Sequence, residues 1–224
     1  MPNVILFVIF PYLAVVLAVV GSLYRYFTNR FSFSSLSSQF LENEMQFWGS
    51  MLWHYGILPT LLIHLAGFAI PGVMAALHST PLQLYAAELA GKVFALMAFA
   101  GAGALLVRRM AFSRIRVVTT PMDWVVLLLL LNQVFLGLWT AFLYRWGAVW
   151  YLHTATPWVV SLVTFNPQPD YVASLPWVPK LHFLNATLLI ALFPFSRLVH
   201  MLTFPFTYLW RRFQLVIWNR RTTR

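Results

Sequence analysis

The sequence contains no cysteine, which excludes disulfides, thiolate zinc, iron–sulfur ligation and thiol nucleophiles within this chain. Acidic residues are almost as scarce, five against fifteen basic ones, and charged residues make up only 9%. A soluble domain carries roughly 25%. With 61% hydrophobic residues over 224 positions and a mean hydropathy of +0.75, the chain cannot cover itself for water, so most of its surface faces lipid. A formal charge of +10 would suggest nucleic acid in a soluble protein. Here it reports membrane orientation, and no nucleic-acid partner is expected. With thiols absent, metal chemistry falls to six histidines.

Five stretches are long enough to cross a hydrocarbon core of about 30 Å, which takes about 20 helical residues. They run approximately from Val4 to Tyr24, Trp48 to Ile70, Leu84 to Val107, Asp123 to Tyr144 and Leu181 to Phe204, with 205–224 as a tail. The first lacks the basic flank and the small-residue cleavage site of a signal peptide, so it counts as a span. The expected fold is an all-α integral membrane protein of one domain, with spans two to five forming the bundle.

Basic residues sort unevenly between the connections, the pattern that sets topology. Arg25, Arg30, Arg108, Arg109, Arg114, Arg116, Arg211, Arg212, Arg220, Arg221 and Arg224 follow spans one, three and five, whereas Arg145 and Lys180 fall on the opposite side. The arginine-rich side is expected to be cytoplasmic, with the amino terminus outside and the carboxyl terminus inside. The carboxyl-terminal arginines suit anionic lipid or a partner subunit. The long connection from Arg145 to Lys180 carries Trp146, Trp150, Tyr151, Trp158 and Trp177, which suits a segment along the outer interface.

A histidine within a membrane span is costly and is a functional candidate by default. His54 and His64 lie on span two, His182 and His200 on span five. Since the two spans run in opposite directions, depth pairs His54 with His200 and His64 with His182. Ten residues make a rise of about 15 Å and eighteen about 27 Å, a mean of roughly 21 Å. Eighteen residues are also five whole turns, which would put His182 and His200 on one face of an unbroken helix. Two axial imidazoles facing each other between helices are what a b-type haem requires. With no Cys-x-x-Cys-His, such haems would be held non-covalently. Two separated pairs without acidic neighbours suit zinc poorly. Gly56 and Gly67 would let either a flat macrocycle or a neighbouring helix approach span two. Pro59 and Pro194 are expected to kink their helices.

Several motifs, in order, resemble the gamma subunit of membrane-bound respiratory nitrate reductase, a dihaem cytochrome b. The most specific is Phe193-Pro-Phe-Ser-Arg-Leu-Val-His200, continued by Pro205, Tyr208, Arg211 and Gln214-Leu-Val216. Others are Ser37-Ser-Gln39, His54-Tyr-Gly-Ile-Leu58 with His64, Arg108-Arg109 with Phe112-Ser113, Thr119-Thr120 through Asp123, Gln133 with Gly137-Leu138, and Val163-Thr-Phe165. The resemblance implies two b haems, one on His54 and His200 nearer the cytoplasm and one on His64 and His182 near the outer face. It also implies quinol as electron donor, an iron–sulfur beta subunit, a molybdenum-containing alpha subunit and a place in the cytoplasmic membrane. Where a compared family member has a lysine beside the quinol site, this chain has Leu84. Lys92, about two turns farther on, then stands with Tyr85 and His78 as the quinol-binding candidates.

Arg197, three residues before His200, suits either a haem propionate or the cytoplasmic headgroups. Glu88 and Lys92, four apart, read as a neutralised pair within the helix. Competing expectations are a related cytochrome b subunit of a sulfite-reductase-associated or heterodisulfide-reductase complex, and a haem-free transporter or scaffold whose histidines bind protons or substrate.

Overall fold

The structure is a computed structural model and describes residues 2–33 and 38–203. The tail at 205–224, the motif residues Ser37, Pro205, Tyr208, Arg211 and Gln214 to Val216, and the last five arginines therefore lie outside the described residues. Every regular element among the described residues is helical, and five helices are long and apolar enough to cross a membrane: Pro2–Ser32, Glu44–Ala69, Pro81–Ala111, Pro121–Leu143 and Trp177–Phe195.

Spans three and four begin the same way. Thr80 and Thr120 each precede a proline, which suits the first helical position because its missing N–H has no partner there anyway. The Thr120 amide donates to Asp123 Oδ2 at 2.9 Å while the Asp123 amide donates to Thr120 Oγ1 at 3.3 Å. Thr80 and Gln83 form the same reciprocal cap. These caps start the two helices at Pro81 and Pro121, ahead of the Leu84 and Asp123 expected from hydropathy.

Prolines further along free carbonyls, and the protein uses them as docking points. Pro11 has no N–H for the Phe7 carbonyl, the helix widens to π geometry over Ile5–Ile9, and the Trp158 indole donates to Phe7 O at 2.9 Å. Pro71 likewise leaves the Gly67 carbonyl open, and Thr156 Oγ1 donates to it at 3.2 Å. Both donors belong to the connection between spans four and five, whose helices Gly147–His153 and Ala155–Val163 are thereby fastened across the ends of spans one and two. Trp158 is 6% exposed, between Phe7 and Phe183, so it is a core residue and not part of an interfacial aromatic belt.

The fifth span departs from the expected unbroken helix. It is α-helical only over Trp177–Leu192, passes through a 3-10 turn at Phe193–Phe195, is extended at Ser196 and continues as 3-10 helix over Arg197–Thr203. Pro194 lacks a donor, and Ser196 Oγ caps the break by donating to Phe193 O at 2.9 Å. Arg25 of span one donates to the carbonyls of Pro194 and Ser196 at 2.7 and 2.8 Å. The argument that five whole turns put His182 and His200 on one face therefore fails, as does the rise computed for them. Span two remains one helix through Pro59, so its rise of about 15 Å between His54 and His64 stands.

The helices pack in the order two, three, four, five, one. Spans two and three approach most closely. A Cβ on Gly56 would lie 2.6 Å from the Phe94 carbonyl oxygen and 2.8 Å from Ala98 Cα. One on Gly101 would lie 2.7 Å from Trp53 Cα. Gly67 meets the Tyr151 ring. Gly56 and Gly67 thus serve close packing by protein, and the macrocycle reading does not hold for them. Gly56→Leu should cost about 3 kcal/mol or more by forcing backbones apart, read as unfolding in detergent. Gly91→Ala, where the added carbon meets no other helix within 4 Å, should leave stability unchanged or slightly raised.

Candidate functional site

Spans two and five make no helix-to-helix contact comparable with the others among the described residues, yet His64 and His182 face one another there. Their ring centroids are 6.4 Å apart with 42° between the planes. The site therefore forms between the two helices on which the sequence places all four span histidines.

Each of those histidines has its Nδ1 against a backbone carbonyl: His54 to Ser50 at 2.7 Å, His64 to Thr60 at 2.7 Å, His182 to Gln133 at 3.1 Å and His200 to Arg197 at 2.6 Å. A carbonyl can only accept, so each Nδ1 carries the proton and Nε2 is the basic nitrogen. That is the arrangement in which a histidine ligates a metal, the second ring nitrogen being used to hold the ring. His54 and His64 are exposed on span two, at a depth where exposure means lipid or a group held between helices. Among the described residues no group of three or more histidine or acidic side chains could hold a bare metal ion. An iron with one imidazole on either side of a porphyrin needs only two.

Tyr151 covers His64. Its hydroxyl donates to the His64 carbonyl at 2.7 Å and its ring meets the imidazole edge-on at 6.1 Å. Burial pushes the Tyr151 phenol up to about 12, so it remains a neutral donor throughout the physiological range. Nothing in the spacing of the long connection pointed to this contact; the pairing of Gly67 with Tyr151 was the signal, visible only once the chain is folded.

At the arginine-rich end, Arg197 Nε is 2.9 Å from Asp123 Oδ1 and its NH2 donates to Val118 O at 3.4 Å. The guanidinium is thus tied to span four three residues before His200. Arg108, 2% exposed, donates to Glu42 and Ser38. At the opposite end, Lys92 pairs with Glu88 at 3.3 Å, as their spacing suggests, and lies 5.9 Å from the Phe142 centroid. Glu88 also accepts the Ala148 amide at 3.0 Å. Tyr85 packs on Trp146 at 5.0 Å, where Trp146 takes a left-handed backbone, φ 64°. His78 sits in the turn between Pro71–Leu77 and span three, its Nδ1 buried without a hydrogen-bond partner. Tyr85, Glu88 and Lys92 share one stretch of span three, with His78 just before it.

The fold and the site define a multi-pass helical membrane protein with two imidazoles facing one another between spans two and five. The family model for the nitrate reductase gamma subunit matches residues 3–219, and the chain belongs to that family. It is 32% identical to the nitrate reductase gamma chain of Bacillus subtilis (strain 168), covering 99% of this chain and 100% of that one. It is 34% identical to the respiratory nitrate reductase 2 gamma chain of Escherichia coli (strain K12), covering 96% of each. An Hdr-like menaquinol oxidoreductase cytochrome b-like subunit of Archaeoglobus profundus is 27% identical over 67% of this chain and 45% of its own length. The chain is therefore a multi-pass membrane subunit of an oxidoreductase complex of the nitrate reductase type.

Proposed function

We propose that this chain is a dihaem cytochrome b that oxidises quinol near the outer face and passes electrons inward to an iron–sulfur beta subunit, for reduction of nitrate on a molybdenum-containing alpha subunit. The observation that carries the reading is the His64–His182 pair. Two imidazoles each about 2 Å from one metal, on opposite sides, would have ring centroids about 6 Å apart, and these are 6.4 Å apart. His64 and His182 would hold the outer haem, His54 and His200 the inner one. When bound, the two haems supply one-electron carriers at two depths of the membrane.

The chain's own residues do the rest. The four Nδ1–H bonds to carbonyls hold each ring in place and leave Nε2 as the nitrogen for ligation. Asp123 holds Arg197 beside His200, where its guanidinium suits a propionate. Tyr151 and Thr156 pin the outer connection to span two at His64 and Gly67, and Trp158 pins it to span one at Phe7. The sorting of arginines supports an amino terminus outside and a carboxyl terminus inside the cytoplasmic membrane.

Pyridine haemochrome titration of the purified chain should give two haems per polypeptide, and the reduced visible spectrum of the untreated protein should be of bis-histidine type; a count of one or none overturns the assignment, and none would favour the haem-free transporter or scaffold. For quinol, the outer end of span three with His78, Tyr85 and Lys92 is the site that fits. His78 offers an unpartnered buried nitrogen and Lys92 a cation already neutralised by Glu88. His78→Ala should slow quinol-driven haem reduction more than Lys92→Ala, in rapid mixing with a menaquinol analogue; wild-type rates in both discard these residues. The Archaeoglobus relative, whose name specifies menaquinol, supports a quinol donor and favours as second reading a heterodisulfide-type complex with another terminal acceptor.

A further inference from the structure

Three of the four span histidines are held by their own helix, at the fourth or third residue before them. His182 is not. Its Nδ1 reaches across to the Gln133 carbonyl on span four. Gly137 makes room, since a Cβ there would lie 3.1 Å from His182 Cε1. The orientation of this one ring is therefore set by the neighbouring helix.

The turn of span four that supplies the carbonyl is itself clamped. Asn185, one turn beyond His182 and 8% exposed, donates through Nδ2 to the Leu129 carbonyl at 3.0 Å and to Gln133 Oε1 at 2.7 Å. Asn132 Nδ2 in turn donates to Asn185 Oδ1 at 3.0 Å. With its oxygen accepting from Asn185, the Gln133 amide nitrogen is the end turned to His182, 3.3 Å from Nε2, a contact that ligation through Nε2 would replace while the Nδ1–H bond to the Gln133 carbonyl stays. Three carboxamides at membrane depth are costly unless paired, and these are paired so as to fix the Leu129-to-Gln133 turn against His182. A purely adhesive role would need no such alignment on the imidazole.

We propose that Asn185, acting through Gln133, is the positioning residue of the outer haem ligand, so that the register between spans four and five controls the outer haem and leaves the inner one untouched. This rests on ligation by His182. Outer partners of metal-bound histidines are worth tenfold to a hundredfold in affinity. Asn185→Leu should therefore weaken outer-haem affinity by up to about tenfold, read as lower outer-haem occupancy at limiting haem, and should move that haem's low-spin EPR signal and midpoint potential. The inner haem's signal and potential stay at wild-type values. Gln133→Leu keeps the backbone carbonyl but loses the clamp, so it should move the same signals, and the double variant should fall short of the sum.

Asn132→Leu, at the exposed end of the chain, should give a smaller shift in the same direction and carries the test if Asn185→Leu does not assemble. Unchanged outer-haem signals in the variants that assemble, or equal shifts in both haems, overturn the proposal. His182→Ala run in parallel separates the two questions: retention of both haems there would refute the ligation itself.

Discussion

Alanine at His64 and alanine at His182 are expected to remove the same haem, and alanine at His54 and at His200 the other. Haem content should fall in each from about two towards one per chain, and any haem that stays on its single remaining histidine should lose its bis-histidine spectrum. The pairs should differ in what they stop. Without the outer haem, quinol has no first acceptor, and reduction should fall to background. Without the inner one, the outer haem should still be reduced but electrons should not reach the cytoplasmic partner, because span two alone separates His54 from His64 by a rise of about 15 Å. Nitrate turnover should be lost in all four. Spectra that show His54→Ala and His64→Ala losing one and the same haem would sink the pairing by depth, and full turnover in His200→Ala would sink the two-step path.

The spans were legible because length and apolarity are one-dimensional properties, although the starts expected at Leu84 and Asp123 lie inside helices that begin earlier, at Pro81 and Pro121, behind the caps of Thr80 and Thr120. The span-two histidine spacing survived folding because that helix runs unbroken past Pro59. On span five the same reasoning failed. Pro194 signalled a disturbance, but its extent depends on Ser196 and on Arg25, which is 169 residues from Pro194 in sequence and acts from another helix. Arg25, read as a topology signal, turns out to be a structural donor as well. Trp158 shows the converse error: an aromatic in an external connection suits an interface, and only the carbonyl freed by Pro11 brings it into the core. The Asp123–Arg197 pair joins two motifs that each looked self-contained. What the sequence could not reveal, in each case, was a partner on a different helix.

The Arg108 latch should have the largest effect on stability away from the histidines. Arg108 ends span three buried, and its guanidinium donates to Glu42 Oε2 at 2.5 Å, to the Glu42 carbonyl at 2.9 Å, and to Ser38 Oγ and O at 3.1 Å each. Glu42 in turn accepts the Met45 amide at 2.7 Å and the Gln46 amide at 3.2 Å, placing its charge at the start of span two where the helix dipole favours it. Removing one partner strands the other charge, so Arg108→Leu should cost about 3–5 kcal/mol, a fall in Tm on the order of 10 °C for a chain of this size. Burial would push the Glu42 carboxyl up, but the Met45 amide and Arg108 outweigh it and hold it below 4.5. A group depressed in the folded state stabilises fully above its unfolded value and loses that contribution as pH falls through the folded one. Wild-type Tm should therefore drop as pH is lowered below 4.5, and Glu42→Gln, already lacking the charge, should start lower and respond less over that window. An Arg108→Leu protein that melts with the wild type would show that the loop before span two is held by something other than this pair.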